Sequence, residues 1–193
     1  MLTQYDVDPE RQLLLLVQHP VTIQSERAGD QMAVTLDAVE EFDVQTVIIY
    51  PNSDAGSDQI ISEIESRTFD SNIQLFQSLP RREYLGLMAA ADVMVGNSSS
   101  GIIEAPSFDL PVVDIGPRQD GRERAANVRS VPHDTEAIQK AIFDSLEDQS
   151  TQQRAKECEN PYEYGGAGKK ITGKLSQVEI NERLLRKESD FDY

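Results

Sequence analysis

Short runs of apolar residues alternate along this chain with longer stretches whose apolar positions recur at helical spacing. Residues 13–18 (LLLLVQ) predict a strand buried on both faces, and residues 26–42 a helix with Met32, Leu36 and Val39 on one side. Residues 46–50 (TVIIY) predict the next strand, ended by Pro51 and Asn52, and a helix from about Ser57 carries Ile60, Ile61 and Ile64. The same alternation continues with a weaker strand at 72–76, a helix at 82–91, a strand at 92–96, a short helix at 101–108 and a strand at 111–115. A strand at 127–131 and a helix from Asp134 to about Leu146 complete the series. Strands this apolar, in regular alternation with helices, predict an α/β fold: a doubly wound, Rossmann-like parallel sheet covered on both faces. Ligands of such sheets sit outside the carboxyl ends of the strands. The loops after Val17, Tyr50, Val95 and Ile115 should therefore share one rim.

The tail reads differently. Residues 160–168 (NPYEYGGAG) form a Gly-rich loop, and 169–187 predict a helix with an incomplete apolar stripe of Ile171, Leu175, Val178 and Leu185. The pattern divides the chain into a polar leader over 1–12, a Rossmann-like domain over 13–150 and a tail over 151–193.

Composition narrows the function classes. A chain of 193 residues can bury a core without staples. The longest apolar run, 13–17, is far shorter than the roughly 20 residues that span a bilayer. No signal-peptide pattern opens the chain, and the single cysteine, Cys158, leaves no internal disulfide, so the expected location is the cytoplasm. Eighteen basic residues against 34 acidic ones give a net charge of −16. That balance repels nucleic acid and anionic membrane, and neither is an expected partner. A phosphorylated ligand would need cations gathered locally.

Four segments on the expected rim could carry chemistry. Gly96-Asn97-Ser98-Ser99-Ser100-Gly101-Ile102-Ile103-Glu104 lies between a strand and a helix. Its hydroxyls and backbone N–H groups could meet an anion, and the Glu104 carboxylate could accept from sugar hydroxyls. Helix capping is the competing reading, although Ser100 stands four residues before Glu104 where a capping box wants three. In Gly116-Pro117-Arg118-Gln119-Asp120-Gly121-Arg122-Glu123-Arg124, three arginines gather in a chain short of positive charge. Guanidinium forks match phosphate oxygens, and Arg118 is the favoured candidate. Arg124 reads as a partner of Asp120 and Glu123.

His19, held by Pro20 just past the first strand, could bind diphosphate when charged or move a proton; a structural histidine is the alternative. In Tyr50-Pro51-Asn52-Ser53-Asp54-Ala55-Gly56-Ser57, Asn52 could meet a ligand, or the segment could be a plain strand–turn–helix link. His133 reads as the residue before a helix capped by Asp134 or Thr135, and Cys158 as inert. No metal-ligand spacing, Walker pattern or dinucleotide glycine pattern appears, so no metal or cofactor is expected.

Taken together, Gln18-His19-Pro20-Val21-Thr22, Pro51-Asn52-x-Asp54-Ala55-Gly56-Ser57, Gly96-Asn97-Ser98-Ser99 through Glu104, and Gly116-x-Arg118-Gln119-x-Gly121-Arg122 resemble the hydrolysing UDP-N-acetylglucosamine 2-epimerases. Asn160-Pro161-Tyr162 and the glycines after it look like that family's C-terminal signature. The resemblance runs from about Leu13 to Ile171. It implies the C-terminal domain of a two-domain, glycosyltransferase-B-type fold with a UDP-sugar in the cleft between domains. Ser98 and Ser99 would meet the diphosphate, Glu104 the ribose hydroxyls, His19 and Arg118 the phosphates, with Asn52 nearby. His19 is the candidate catalytic residue.

The implied reaction eliminates UDP across C1–C2 to 2-acetamidoglucal, then adds water to release N-acetylmannosamine. UDP-N-acetylglucosamine or a related UDP-2-acetamido sugar is the implied partner. A family member would carry about 100–200 further residues ahead of His19, supplying the proton-moving acids. This domain is expected from elsewhere, as a missing N-terminal domain or a partner chain. Without it the C-terminal helix would keep its stripe exposed or self-associate, a homo-oligomer being one outcome. Two other readings stand beside the epimerase: a UDP or UDP-sugar-binding domain without turnover, and half of a UDP-sugar glycosyltransferase.

Overall fold

The computed structural model describes residues 5–163 and 165–186, with the side chain of Arg183 left aside. They fall into two compact units that part between Pro161 and Tyr162.

Six strands build the first unit: β1 (Leu13–Val17), β2 (Gln45–Ile49), β3 (Ile73–Phe76), β4 (Val93–Gly96), β5 (Val112–Ile115) and β6 (Val128–Val131). All neighbours are parallel, in the order β3-β2-β1-β4-β5-β6. This is the doubly wound order, and the chain reverses its direction of travel between β1 and β4. Val17 pairs with Gly96 at that point, so both strands end level with each other.

Side-chain alternation explains the run LLLLV. Leu14 and Leu16 enter one core with Met32 and Leu36 of helix α1 (Ala28–Val39), Ile60 and Ile64 of α2 (Ser57–Ser66), and Ile138 and Ile142 of α5 (Thr135–Glu147). Leu13, Leu15 and Val17 enter the other, with Leu87 and Met88 of α3 (Arg81–Met88). A strand apolar at every position is thus what a sheet covered on both faces requires.

Several boundaries differ from the pattern. The helix expected at 26–42 begins only at Ala28, after a 3₁₀ turn at Thr22–Arg27, and ends at Val39. The helix expected at 101–108 is one turn of α-helix, α4 (Ser100–Ile103), followed by a 3₁₀ turn at Ala105–Phe108. Pro106 lacks the N–H that would continue the α-helix.

The residues ahead of β1 carry core side chains. Tyr5 and Val7 are buried, and the Tyr5 ring meets Phe76 edge-on at 5.1 Å. Their polar neighbours mask them in the sequence; Met1 to Gln4 lie outside the described residues.

The first unit also continues past residue 150. Helix α6 (Gln149–Glu157) buries Ala155, and Asn160 donates to Ile103 O and Ser107 Oγ. Asp148 caps α6, accepting from Ser150 N and Thr151 N.

In the second unit the helix expected at 169–187 is two pieces, α7 (Ala167–Leu175) and α8 (Glu182–Leu185). Asn181 restarts the helix by accepting from Leu184 N, which makes it an N-cap rather than a mid-helix residue. Ile171, Leu175, Leu184 and Leu185 are exposed. Lys187 and, in the Gly-rich stretch, Tyr164 lie outside the described residues.

Candidate functional site

The four loops anticipated at one rim do meet there, and hydrogen bonds between them define the site. His19 leaves β1 with its N–H donating to Asn97 Oδ1 at 2.7 Å, while Asn97 Nδ2 donates back to His19 O at 2.9 Å. Asn97 follows β4 through Gly96, whose φ of +123° suits glycine; a Cβ there would run into the Val17 carbonyl. The Asn52 N–H, from the loop after β2, donates to His19 Nδ1 at 3.1 Å. From the loop after β5, Arg118 NH1 donates to Asn97 O at 3.2 Å, and Arg118 NH2 lies 3.9 Å from Asp54 Oδ2.

An open cleft of about 410 Å³ lies over these loops, lined by His19, Asn52, Ser98, Ser99 and Glu104 among others. Other hollows, such as one of about 360 Å³ between Phe42 and Phe69, lie away from this rim. Arg118 sits beside the cleft on Asn97 and Asp54. The structure therefore gathers His19, Asn52, Ser98, Ser99, Glu104 and Arg118 at one end of the sheet.

Burial, then the nearby Arg118 charge, lowers the His19 pKa to about 4, with Asp54 pulling the other way. The ring is neutral at pH 7. Because Nδ1 accepts from Asn52, the proton resides on Nε2. His19 thus meets a ligand as a neutral donor, and charged binding requires an anion to raise its pKa first. Burial also lowers the pKa of Arg118, with Asp54 opposing and Arg122 adding to the shift; the guanidinium remains charged.

The serine loop is a chain of hydroxyls. Ser98 Oγ and Ser100 Oγ lie 2.8 Å apart, and Ser100 Oγ bonds in turn to the Tyr84 hydroxyl. Burial raises the Tyr84 pKa, so its hydroxyl keeps its proton. Ser99 has helical φ/ψ and makes no side-chain cap bond, while Ser98 Oγ accepts from Ser100 N at 3.4 Å, so any capping falls to Ser98 alone. Helix α4 is a single turn, and its dipole contributes little; the hydroxyls themselves are the polar equipment. Glu104, at the far end of α4, pairs with Arg81 at 3.5 Å.

Asn97, Tyr84 and Arg81 were not legible as site residues. Their signals are an asparagine that reads as a turn former, an aromatic at a helical position and one more surface arginine. The other candidates have structural duties. Arg124 pairs with buried Asp114 at 3.2 Å and with Asp120 at 3.6 Å. Asp134 caps α5 through Ala137 N, and Cys158 Sγ bonds to Ala155 O. No helix among the described residues is long and apolar enough to cross a membrane.

The chain matches the family model described as UDP-N-acetylglucosamine 2-epimerase over residues 2–176. It is 32% identical over 184 residues to UDP-N,N′-diacetylbacillosamine 2-epimerase (hydrolyzing) of Legionella pneumophila, covering 95% of this chain and 48% of that protein. Among solved structures it is similar to UDP-GlcNAc 2-epimerase from Neisseria meningitidis bound to UDP-GlcNAc, with TM-score 0.73 and 20% identity over 90% of this chain and 47% of that one. It is also similar to MnaA of S. aureus in its structure with UDP, with TM-score 0.70 and 20% identity over 99% of this chain and 50% of that one. The structural likeness is one of fold, that of half of a glycosyltransferase-B-type enzyme. The chain spans about half the length of the curated relative from Legionella pneumophila. With that family model matched over residues 2–176 and a relative 32% identical over 95% of this chain, the chain belongs to the UDP-N-acetylglucosamine 2-epimerase family.

Proposed function

We propose that this chain is the UDP-holding half of a hydrolysing 2-epimerase acting on a UDP-2-acetamido sugar in the cytoplasm. The observation that carries the reading is the single cleft shared by His19, Asn52, Ser98, Ser99 and Glu104, with Arg118 beside it. In this reading Glu104 accepts from the ribose hydroxyls and releases Arg81, while Ser98 and Ser99 donate to diphosphate oxygens. Arg118 and the Nε2–H of His19 face the β-phosphate.

The elimination breaks the bond from C1 to the β-phosphate oxygen, which keeps the electron pair, as the C2 proton passes to a base. Donors fixed before the reaction stabilise the charge growing on the departing UDP. Water then adds across C1=C2, giving hydroxyl to C1 and a proton to C2. Glu104 is the carboxylate lining the cleft among the described residues, and its place beside Arg81 suits binding rather than proton transfer. The base and acid come in this reading from the other half of the enzyme.

That same observation favours a second reading, UDP-sugar binding without turnover. Incubation with UDP-N-acetylglucosamine separates the two, alone and with a separately produced N-terminal domain of a family member. Release of UDP and N-acetylmannosamine only when both halves are present is the expected result. Binding without product in either case leaves the second reading.

A further inference from the structure

Asn97 is 1% exposed. Besides the bond from its N–H to Val17 O at 3.2 Å, it makes four hydrogen bonds to the loops after β1 and β5. Its carboxamide closes a two-way pair with one peptide unit, accepting from His19 N at 2.7 Å and donating to His19 O at 2.9 Å. Its main-chain oxygen accepts twice, from Arg118 NH1 at 3.2 Å and from Gln119 Nε2 at 2.7 Å, which fills both lone pairs. Gln119 is itself 1% exposed. These partners come from the ends of β1 and β5, on either side of the strand that carries Asn97.

We propose that Asn97 is the positioning residue of the site, holding His19 and Arg118 in one fixed arrangement for the diphosphate. The inference rests on the nucleotide reading above for its ligand, though not for its geometry. Asn97 thus bonds to both loops. An aspartate would present a second oxygen to the His19 carbonyl, where the amide presents hydrogens. A serine is too short to reach both groups of the His19 peptide. The side chain is buried and does not line the cleft, so it acts only through the His19 peptide it holds. A buried amide with one misplaced partner loses its geometry along with its stability. Asn52 extends the same frame, because its N–H reaches His19 Nδ1 only while the His19 backbone is pinned.

The test compares the full chain with Asn97→Ala, with Gln119→Met, and with Asn127→Ala as a control. Asn127 is also a buried amide that bonds a loop carbonyl, Leu110 O at 2.8 Å, away from the cleft. Titration with UDP and with uridine is read alongside the NMR titration of the His19 ring. Asn97→Ala is expected to weaken UDP by about tenfold or more while uridine changes by less than about twofold. Its His19 pKa should rise from about 4 towards 6.5 as the ring is released. Gln119→Met, which removes one donor to Asn97 O, should weaken UDP by about threefold and keeps the test open if Asn97→Ala does not fold. Asn127→Ala should melt earlier with UDP affinity and the His19 titration unchanged.

The proposal is overturned if Asn97→Ala merely melts earlier, like the control, with both site readouts intact. It is overturned equally if Asn97→Ala fails to fold and Gln119→Met binds UDP as the parent does. Absence of UDP binding by the parent chain removes the nucleotide reading instead. The His19 titration of Asn97→Ala, or of Gln119→Met in its place, then decides the positioning role alone: a shift supports it and no shift ends it.

Discussion

The N–H of Asn52 donates to Nδ1 of His19 across 3.1 Å, so the loop after β2 sets the tautomer of the ring at the end of β1. Protonating Nδ1 would break that bond, which agrees with the lowered His19 pKa of about 4. An unfolded chain takes up this proton near 6.5. Between these values the unfolded state binds the extra proton, so His19 makes no contribution above pH 6.5 and destabilises progressively as pH falls towards 4. His133, whose pKa burial also lowers, acts in the same direction. His19→Gln should therefore flatten the loss of stability over that window, seen as a smaller fall in urea midpoint from pH 7 to 5. An unchanged slope would place the ring in a solvated setting.

The proposed contact of Glu104 with the ribose can be tested apart from phosphate binding. Glu104→Ala should weaken UDP by about 1.5–3 kcal/mol, the scale of hydrogen bonds to a charged group. The loss should shrink for 2′-deoxy-UDP, which offers one hydroxyl fewer. Equal losses for both nucleotides would mean that the carboxylate serves Arg81 and the protein rather than the sugar.

Arg118 is predicted to act on phosphate. Arg118→Ala should cost UDP about 1.5–3 kcal/mol and leave uridine nearly unchanged. Calorimetry with the two ligands checks this, and parallel losses would argue for a scaffold role through Asn97 O alone.

Gly96 fixes the exit from β4 towards the hydroxyls. Gly96→Ala has to fit a Cβ against the Val17 carbonyl at a φ of +123°, and should destabilise by about 2–4 kcal/mol in urea unfolding. A milder effect would show that β1 and β4 can part at their ends without strain.

Much of this architecture was legible because burial on both faces leaves a mark that does not depend on distant partners. Leu13 to Val17 can hardly be anything but a central strand, and the rim positions of His19, Asn52, Ser98 and Arg118 follow from where strands stop. Helix α6 left no such mark, since QSTQQRAKE buries only Ala155. Tyr5 and Val7 were hidden among polar neighbours for a related reason: two apolar residues make no period. Asn97 shows the limit most plainly. Its partner His19 stands 78 positions away and Arg118 stands 21 away, and nothing local distinguishes a loop asparagine that ties loops together from one that turns a corner. The pairing of Glu104 with Arg81 was invisible for the same reason.

Calorimetric titration of the 193-residue chain with UDP, beside uridine, tests the central claim most directly. The account predicts saturable binding of one UDP per chain, with uridine held much more weakly for want of the groups that Arg118, Ser98 and His19 would contact. A chain that binds neither ligand, or that binds uridine as tightly as UDP, contradicts it.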